Sequence, residues 1–326
     1  MYKFISYGLG TIGLEILDTL LKKKNFKIVG AVDIKDELIN KDVGELLGDK
    51  KINVYVKKNI EEFEKCDIVV HSTSSRISKT FEEFKELLSK GYNIISTCEE
   101  LFYPYYFHKK EAEELNRIAK ENNARILGTG INPGFILDTM VVFSTTLLRD
   151  FNKISGERVL DASKRRKQLQ LKIGSGLTVE EFNKLKNENK IGHVGLLESL
   201  FFIFDALNLE IQEFKEELNP LIAEEDIKTE YIFVKKGLVR GQHQRVIGIS
   251  KDGKVIELTL IMALKEKESF DRVKIIGDPE IELEIKRGVP GDIGTASVVA
   301  NYIPILLKAE PGLHTTMDLN LPRFFN

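Results

Sequence analysis

The run Gly8-Leu9-Gly10-Thr11-Ile12-Gly13 is a GxGxxG motif, and an acidic residue, Asp33, lies twenty positions after Gly13. Alone, the glycine pattern also suits a turn in an unrelated α/β protein. Here it stands between a strand-like and a helix-like segment, which is the context that binds a dinucleotide. Gly8 allows the tight turn, Gly10 has no side chain to block a pyrophosphate, and Gly13 lets helix and strand approach. Unpaired backbone N–H groups at Thr11 and Ile12, where the helix begins, face the phosphate charge. Asp33 is placed to accept hydrogen bonds from the adenosine ribose hydroxyls. A 2′-phosphate would meet its carboxylate, so NAD is expected in preference to NADP, with Lys35 softening the choice.

Three further segments fall where strands end: His71-Ser72-Thr73-Ser74-Ser75, Ser96-Thr97-Cys98-Glu99-Glu100 and Gly128-Thr129-Gly130-Ile131-Asn132-Pro133-Gly134. Ligands of doubly wound sheets bind at that edge. Small hydroxyl residues and glycines there let a flat ring lie close to the backbone. Ser72, Thr73 and Ser74 are expected beside the nicotinamide ribose, and Asn132 beside the substrate. Glu99 and Glu100 are the acids nearest the hydride path; one could hold a substrate ammonium or take its proton, or either could simply cap the start of a helix. Cys98 is a nucleophile of the aldehyde-dehydrogenase kind or an inert packed residue, and the adjacent Glu99 would raise its pKa rather than lower it. Downstream, Arg165 and Lys172 lie in a polar stretch from Asp161 to Gly176 suited to clamping a carboxylate, or forming a solvated loop. His193 precedes an apolar helix and is either a proton carrier or a structural histidine.

The elements that must position these residues alternate at first. Strands are expected at Tyr2–Tyr7, Phe26–Val32, Ile52–Val56, Asp67–Ser72, Asn93–Ser96 and Arg125–Gly128. Helices are expected at Thr11–Lys24, Ser78–Lys90 and Phe107–Asn122. This order implies an α/β fold with a Rossmann-type doubly wound parallel sheet. After about residue 138 the pattern changes. A helix at Val141–Arg149 leads to a polar strand and loop over Lys153–Gly176, then helices at Val179–Asn189 and Val194–Leu207. Strand-like runs follow at Thr229–Val234, Gln244–Ser250, Val255–Ala263, Val273–Ile276 and Glu280–Lys286. These predict a second α+β domain with a mixed sheet. A final helix over Asp292–Leu307 has Asp292 available as N-cap. The expected division is therefore 1–137, completed by 292–326, for the dinucleotide, and 138–291 for substrate binding and oligomerisation.

Bulk properties agree with an ordinary globular chain of about two domains. The chain has 326 residues, 42% hydrophobic and 30% charged, and a net charge of −2. That balance favours neither nucleic acid nor an anionic membrane. No apolar run approaches the ~18 residues a bilayer span needs, and no signal segment precedes the first strand. Two cysteines cannot make a zinc site or a disulfide framework, so a reducing cytoplasm and no metal are expected. Exposed strand edges in the second domain suit a homodimer or homotetramer.

Four segments also resemble the 2,4-diaminopentanoate dehydrogenase family: Ser96-Thr97-Cys98-Glu99-Glu100-Leu101, the Gly128–Asp138 run GTGINPGFILD, the Asp161–Gly176 run DASKRRKQLQLKIGSG and His193-Val194-Gly195-Leu196-Leu197-Glu198-Ser199. That family is similar to dihydrodipicolinate reductase in its nucleotide-binding domain. This chain lacks the adjacent histidines and the serine-glycine-threonine loop of a true reductase. The resemblance implies oxidative deamination of a diamino acid by NAD or NADP: 2,4-diaminopentanoate to 2-amino-4-oxopentanoate and ammonia, in anaerobic ornithine breakdown. Relatives acting on 3,5-diaminohexanoate or diaminopimelate mark the alternatives, and a non-catalytic NAD-sensing protein is a rival of another class. The resemblance further implies that the last helix packs on the nucleotide domain and that substrate lies between the domains. The roles of Glu99, Glu100, Arg165, Lys172 and His193 rest on position and chemistry alone.

Overall fold

The computed structural model describes residues 1–325 as two compact units, Met1–Phe135 with the chain from Pro290 onward, and Ile136–Val289. In chain order the first unit contributes β1 (Tyr2–Tyr7), α1 (Thr11–Leu21), β2 (Phe26–Val32), α2 (Val43–Leu46), β3 (Val56–Lys57), β4 (Ile68–His71), α3 (Ile77–Ser89), β5 (Ile94–Ser96), α4 (Lys109–Glu121) and β6 (Arg125–Gly128). The second contributes α5 (Thr139–Ser144), β7 (Asp150–Asp161), α6 (Lys167–Lys172), α7 (Val179–Asn187), α8 (Leu196–Ala206), β8 (Ile211–Ile222), β9 (Ile227–Lys228), β10 (Phe233–Val234), β11 (Val239–Ser250), β12 (Val255–Ala263), β13 (Phe270–Asp278) and β14 (Ile281–Lys286). The chain then returns to the first unit with α9 (Gly291–Leu306) and β15 (Gly312–His314).

The first unit is a seven-stranded parallel sheet in the order β15-β6-β5-β4-β1-β2-β3. Its strands are buried on both faces, as a parallel sheet covered by helices requires. Successive residues serve opposite cores. Phe4, Val70, Ile95 and Leu127 face Ile16, Leu17 and Leu20 of α1 and Val299, Tyr302 and Ile303 of α9. Ile5, Val69, Ile94 and Ile126 face Phe84 and Leu87 of α3 and Leu115 and Ile118 of α4. Each fully buried side chain of this size stabilises by ~1.5–3 kcal/mol. From β1 the chain winds outward through β2 and β3, then crosses to β4, β5 and β6 on the other side. The loops after β1 and β4 therefore part, which opens a crevice at the carboxyl edge.

The second unit is a six-stranded mixed sheet, β14-β13-β7-β12-β11-β8, in which only β7 and β12 run parallel. One face carries α5 and α8. A Cβ at Gly248 of β11 would meet Phe204 and Leu200 of α8, and one at Gly156 of β7 would meet Leu137 and Val141. On this same face Arg158 and Asp271 form an ion pair at 2.6 Å, both essentially inaccessible to solvent. They also grip Val289, whose carbonyl accepts from Arg158 and whose N–H donates to Asp271.

Several local expectations need correction. The charged segment of β8 forms a full edge strand that the sequence pattern did not announce. Part of the loop expected before Gly176 is the short helix α6. The strand expected at Ile52–Val56 is reduced to two residues, with Tyr55 in an isolated bridge to Asp42. Asp292 does not cap α9: Pro290 holds the N-cap position and Asp292 lies in the first turn, where its charge still suits the helix dipole.

Candidate active site

The glycine turn occupies the crevice between β1 and β4. Gly8 has φ +93°, and a Cβ there would lie 2.7 Å from the Ser72 carbonyl oxygen. At Gly13 a Cβ would come within 1.9 Å of the Gly8 carbonyl oxygen. At Gly10, by contrast, a Cβ would meet nothing within 4 Å. Two glycines are thus needed by the fold, and the third faces open space. No side chain caps the start of α1, leaving its first amides without a side-chain acceptor. Ser72 secures the turn by donating to the Gly8 carbonyl at 3.0 Å.

Asp33 is buried beside this turn. One carboxylate oxygen accepts from Leu9 N–H at 2.7 Å and the other from Lys35 N–H at 2.9 Å. An ionised carboxylate has about four acceptor sites, so capacity for ribose hydroxyls remains after both bonds. Asp33 therefore also braces the glycine turn, which sequence spacing does not reveal. An uncapped helix start, open space above Gly10 and a buried carboxylate together fit the pyrophosphate and ribose of a dinucleotide.

Across the same edge, His71 is fully buried at the end of β4. Its Nδ1 lies 3.0 Å from Ser96 Oγ and its Nε2 lies 2.8 Å from Glu83. Thr73 Oγ1 donates to the same Glu83 oxygen at 3.0 Å. Burial pushes the Glu83 carboxyl up, but the bonds and charge from His71 and Thr73 outweigh it and leave the pKa below its ordinary value. The network ties α3 to the ends of β4 and β5 and fixes the exposed Thr73 next to Gly8. Ser74 Oγ accepts a longer bond from Arg76 N–H at 3.4 Å.

The two candidate acids separate clearly. Glu100 is buried: it accepts from Arg76 Nη1 at 3.0 Å and from Ile77 N–H at 2.7 Å, with His108 Nε2 at 3.3 Å. It thus caps the start of α3. Glu99 is half-buried in the short 3₁₀ turn Glu99–Leu101 at the carboxyl edge of the sheet. Cys98 is 1% exposed, and burial pushes its thiol up to about 12, with Glu100 and Glu99 adding to the effect. Its Sγ contacts Thr80 rather than open solvent, which removes the nucleophile reading. The glycine-rich loop after β6 is folded tightly: a Cβ at Gly134 would lie 2.2 Å from Gly130 N, and Ile131 N–H donates to Thr295 of α9. Asn132 is half-buried on this loop.

In the second unit, the carbonyl of Arg165 is held by Gln170 at 2.7 Å. Its positive charge reaches Arg158: burial first, then Arg165, lower the Arg158 pKa against the pull of Asp271. His193 is fixed through its backbone, donating to and accepting from the Gln244 amide at 2.7 and 2.9 Å. Lys172 does not join this group; it is exposed at the end of α6. Three polar groups escaped the sequence reading. Thr129 Oγ1, Gln242 Oε1, and Nε and Nη1 of Arg166 are buried without a hydrogen-bond partner. Arg166 belongs to the basic run Lys164-Arg165-Arg166-Lys167 within the polar stretch from Asp161 to Gly176, where residue type does not distinguish it from its neighbours.

A parallel sheet with a glycine turn at its switch point, joined to a mixed-sheet unit, is the architecture of Rossmann-type dehydrogenases. Two solved structures share it over nearly the whole chain. Amine dehydrogenase from Mycobacterium smegmatis gives a TM-score of 0.89 at 22% identity, covering 99% of this chain and 97% of its own. Myo-inositol 2-dehydrogenase from Lactobacillus plantarum gives 0.59 at 12% identity, covering 97% and 92%. Residues 3–100 match the dihydrodipicolinate reductase N-terminal family, and residues 135–326 match the 2,4-diaminopentanoate dehydrogenase C-terminal domain. The 2,4-diaminopentanoate dehydrogenase of Acetoanaerobium sticklandii is 34% identical, over 98% of this chain and 94% of that protein. The chain belongs to the 2,4-diaminopentanoate dehydrogenase family. Among the described residues no helix is long and apolar enough to cross a membrane.

Proposed function

We propose that the protein oxidatively deaminates 2,4-diaminopentanoate at C4, with NAD preferred over NADP. The carrying observation is the 34% identity to a protein of that activity over almost the full length of both chains. The glycine turn, the amides of Thr11 and Ile12, and Asp33 would hold the dinucleotide, which when bound supplies the hydride acceptor. The C4 amine loses the hydride from carbon and a proton from nitrogen to become a ketimine. Water then adds, and ammonia leaves 2-amino-4-oxopentanoate. Proton transfer falls to Glu99, half-buried at the sheet edge, because both oxygens of Glu100 are engaged, one by the first amide of α3 and the other by the Arg76 guanidinium. A screen for reduced nicotinamide from 2,4-diaminopentanoate, 3,5-diaminohexanoate, diaminopimelate, alanine and aspartate tests the activity. Turnover confined to one of the other substrates would replace the assignment.

Asp33 supports the NAD preference, since a 2′-phosphate would face a buried carboxylate already engaged by two amides. Asp33→Asn should narrow the ratio of NAD to NADP affinity while weakening both, because it also loosens the Leu9 contact. An unchanged ratio in calorimetric titrations removes the ribose role.

A further inference from the structure

The second unit holds a donor and an acceptor that nothing in the fold satisfies. Gln242 is 1% exposed, and its Oε1 has no hydrogen-bond partner. Nε and Nη1 of Arg166 are likewise buried and unmatched. Leaving such groups unpaired is unfavourable, more so for a charged one. Buried groups of this kind call for a partner that the protein itself does not supply, and a bound ligand is one.

Their placement is consistent. Gln242 and Gln244 lie two apart on β11 and so share a face, and Gln244 binds the His193 loop on that face. Gln242 is directly paired with Met262 of β12. Met262 packs against the apolar cluster containing Ala162 and Ile173, which bracket Arg166 in sequence. The segment between them is moored to the same two strands: Ala162 N–H donates to Ala263, Ser175 Oγ to the Arg240 carbonyl and Gly176 N–H to Val239. Fully buried Gln170 grips it from within, donating to the carbonyls of Ser163 and Arg165 and accepting from Thr229. The backbone that presents Arg166 is thus held before any ligand arrives.

The geometry points to a pocket for the α-amino-acid end of the substrate, with Arg166 taking the carboxylate and Gln242 Oε1 the α-ammonium. A guanidinium has only donors and suits a carboxylate; an amide oxygen is an acceptor and suits an ammonium. This assigns the carboxylate to Arg166 rather than to Arg165 or the exposed Lys172. It rests on the proposed diamino acid substrate.

Norvaline, 2-aminopentanoate, carries the amino-acid end but no C4 amine, so it reports the pocket apart from catalysis. Pentanoate carries the carboxylate alone. Calorimetric titration of the full chain with reduced cofactor should show norvaline binding. Arg166→Gln should weaken norvaline and pentanoate alike, by ~10- to 100-fold for bonds to a charged group. Gln242→Leu should weaken norvaline but not pentanoate, and Arg166→Lys should retain part of both. In turnover, Arg166→Gln should raise KM for 2,4-diaminopentanoate far more than it lowers kcat. Cofactor affinity, a property of the first unit, should be unchanged and serves as the folding control. No norvaline binding by the unaltered protein, or equal binding by Arg166→Gln, overturns the pocket. If the norvaline pattern holds and no diamino acid is oxidised, the pocket stands and the deamination reading falls.

Discussion

Alanine at each of the three motif glycines should separate what the fold needs from what the cofactor needs. At Gly13 the new Cβ would stand 1.9 Å from a backbone oxygen that is itself part of the turn. That overlap cannot be relieved by a side-chain rotation, so it should destabilise by at least the ~1–3 kcal/mol typical of overpacking. Gly8 adds a left-handed backbone at φ +93°, worth a further ~1–2 kcal/mol for a residue with a Cβ. Gly10 differs in both respects. Its φ of −67° and ψ of −176° suit any residue, and its Cβ would meet nothing. Alanine there restricts the unfolded chain, a gain of ~0.4–1 kcal/mol, but Gly10 is the N-cap of α1, where alanine is poorer than glycine by a similar amount. The melting temperature should therefore change little, in contrast to the losses at Gly8 and Gly13. The same methyl would occupy the approach of the pyrophosphate to the amides of α1. Losing one or two charge-assisted bonds of ~1.5–3 kcal/mol each should weaken NAD binding by ~10-fold or more. Thermal melts and calorimetric titrations of the three variants give the test. A Gly10→Ala protein that binds NAD normally, or a Gly13→Ala protein as stable as the original, would refute the assignment of roles.

Three other outcomes follow from buried groups. Asp271→Asn leaves Arg158 buried without a charged partner and should destabilise by ~3–5 kcal/mol, whereas replacing both by apolar residues of similar volume should recover most of it; denaturant melts decide. Cys98 and Cys66, both held up at about 12 by burial, should resist iodoacetamide at pH 8 and label fully on unfolding, and prompt labelling of Cys98 would restore a nucleophilic role. Glu257 is pushed up by burial but pulled down further by Arg245 and Lys153, so its folded pKa lies below the ordinary 4.5. A depressed carboxylate adds stability above the unfolded pKa and loses it as pH falls through the folded one. The stability gap between the native protein and Glu257→Gln should therefore be full at pH 7 and shrink below pH 4.5, and a gap that is flat across that range would contradict the pairing.

The first unit was legible because its chemistry and its packing impose the same periods. Strands buried on both sides read as short apolar runs, and α1, α3 and α4 carry apolar stripes that survive in any context. β8 was invisible for the opposite reason. It is an edge strand whose segment IQEFKEELNPLI keeps most side chains in solvent, and charges on an edge protect it from pairing with other chains. Such a strand forms because β11 supplies a partner along its whole length, information that lies in another part of the sequence. Asp292 misled because a capping residue was read from its type, while the backbone placed Pro290 at the boundary.

The active-site reading divides along the same line. Gly8 and Gly13 are legible because the packing of the turn demands glycine there, and Gly10 because a pyrophosphate would need the space a side chain fills. The acids were harder: Glu99 and Glu100 are adjacent and chemically equivalent in the sequence, and only the return of α3 past Glu100 makes one of them a cap. The basic run from Lys164 to Lys167 poses the same problem with four cations. Charge alone favours none of them. What singles out Arg166 is the absence of a partner for buried donors, a property of the surroundings and not of the residue. Unmatched buried polarity, rather than charge, marks the amino-acid pocket proposed for this unit. Removing the guanidinium of Arg166 should then impair amino-acid binding more than removing that of Arg165, whose charge bears on the buried Arg158 and whose loss should register in stability.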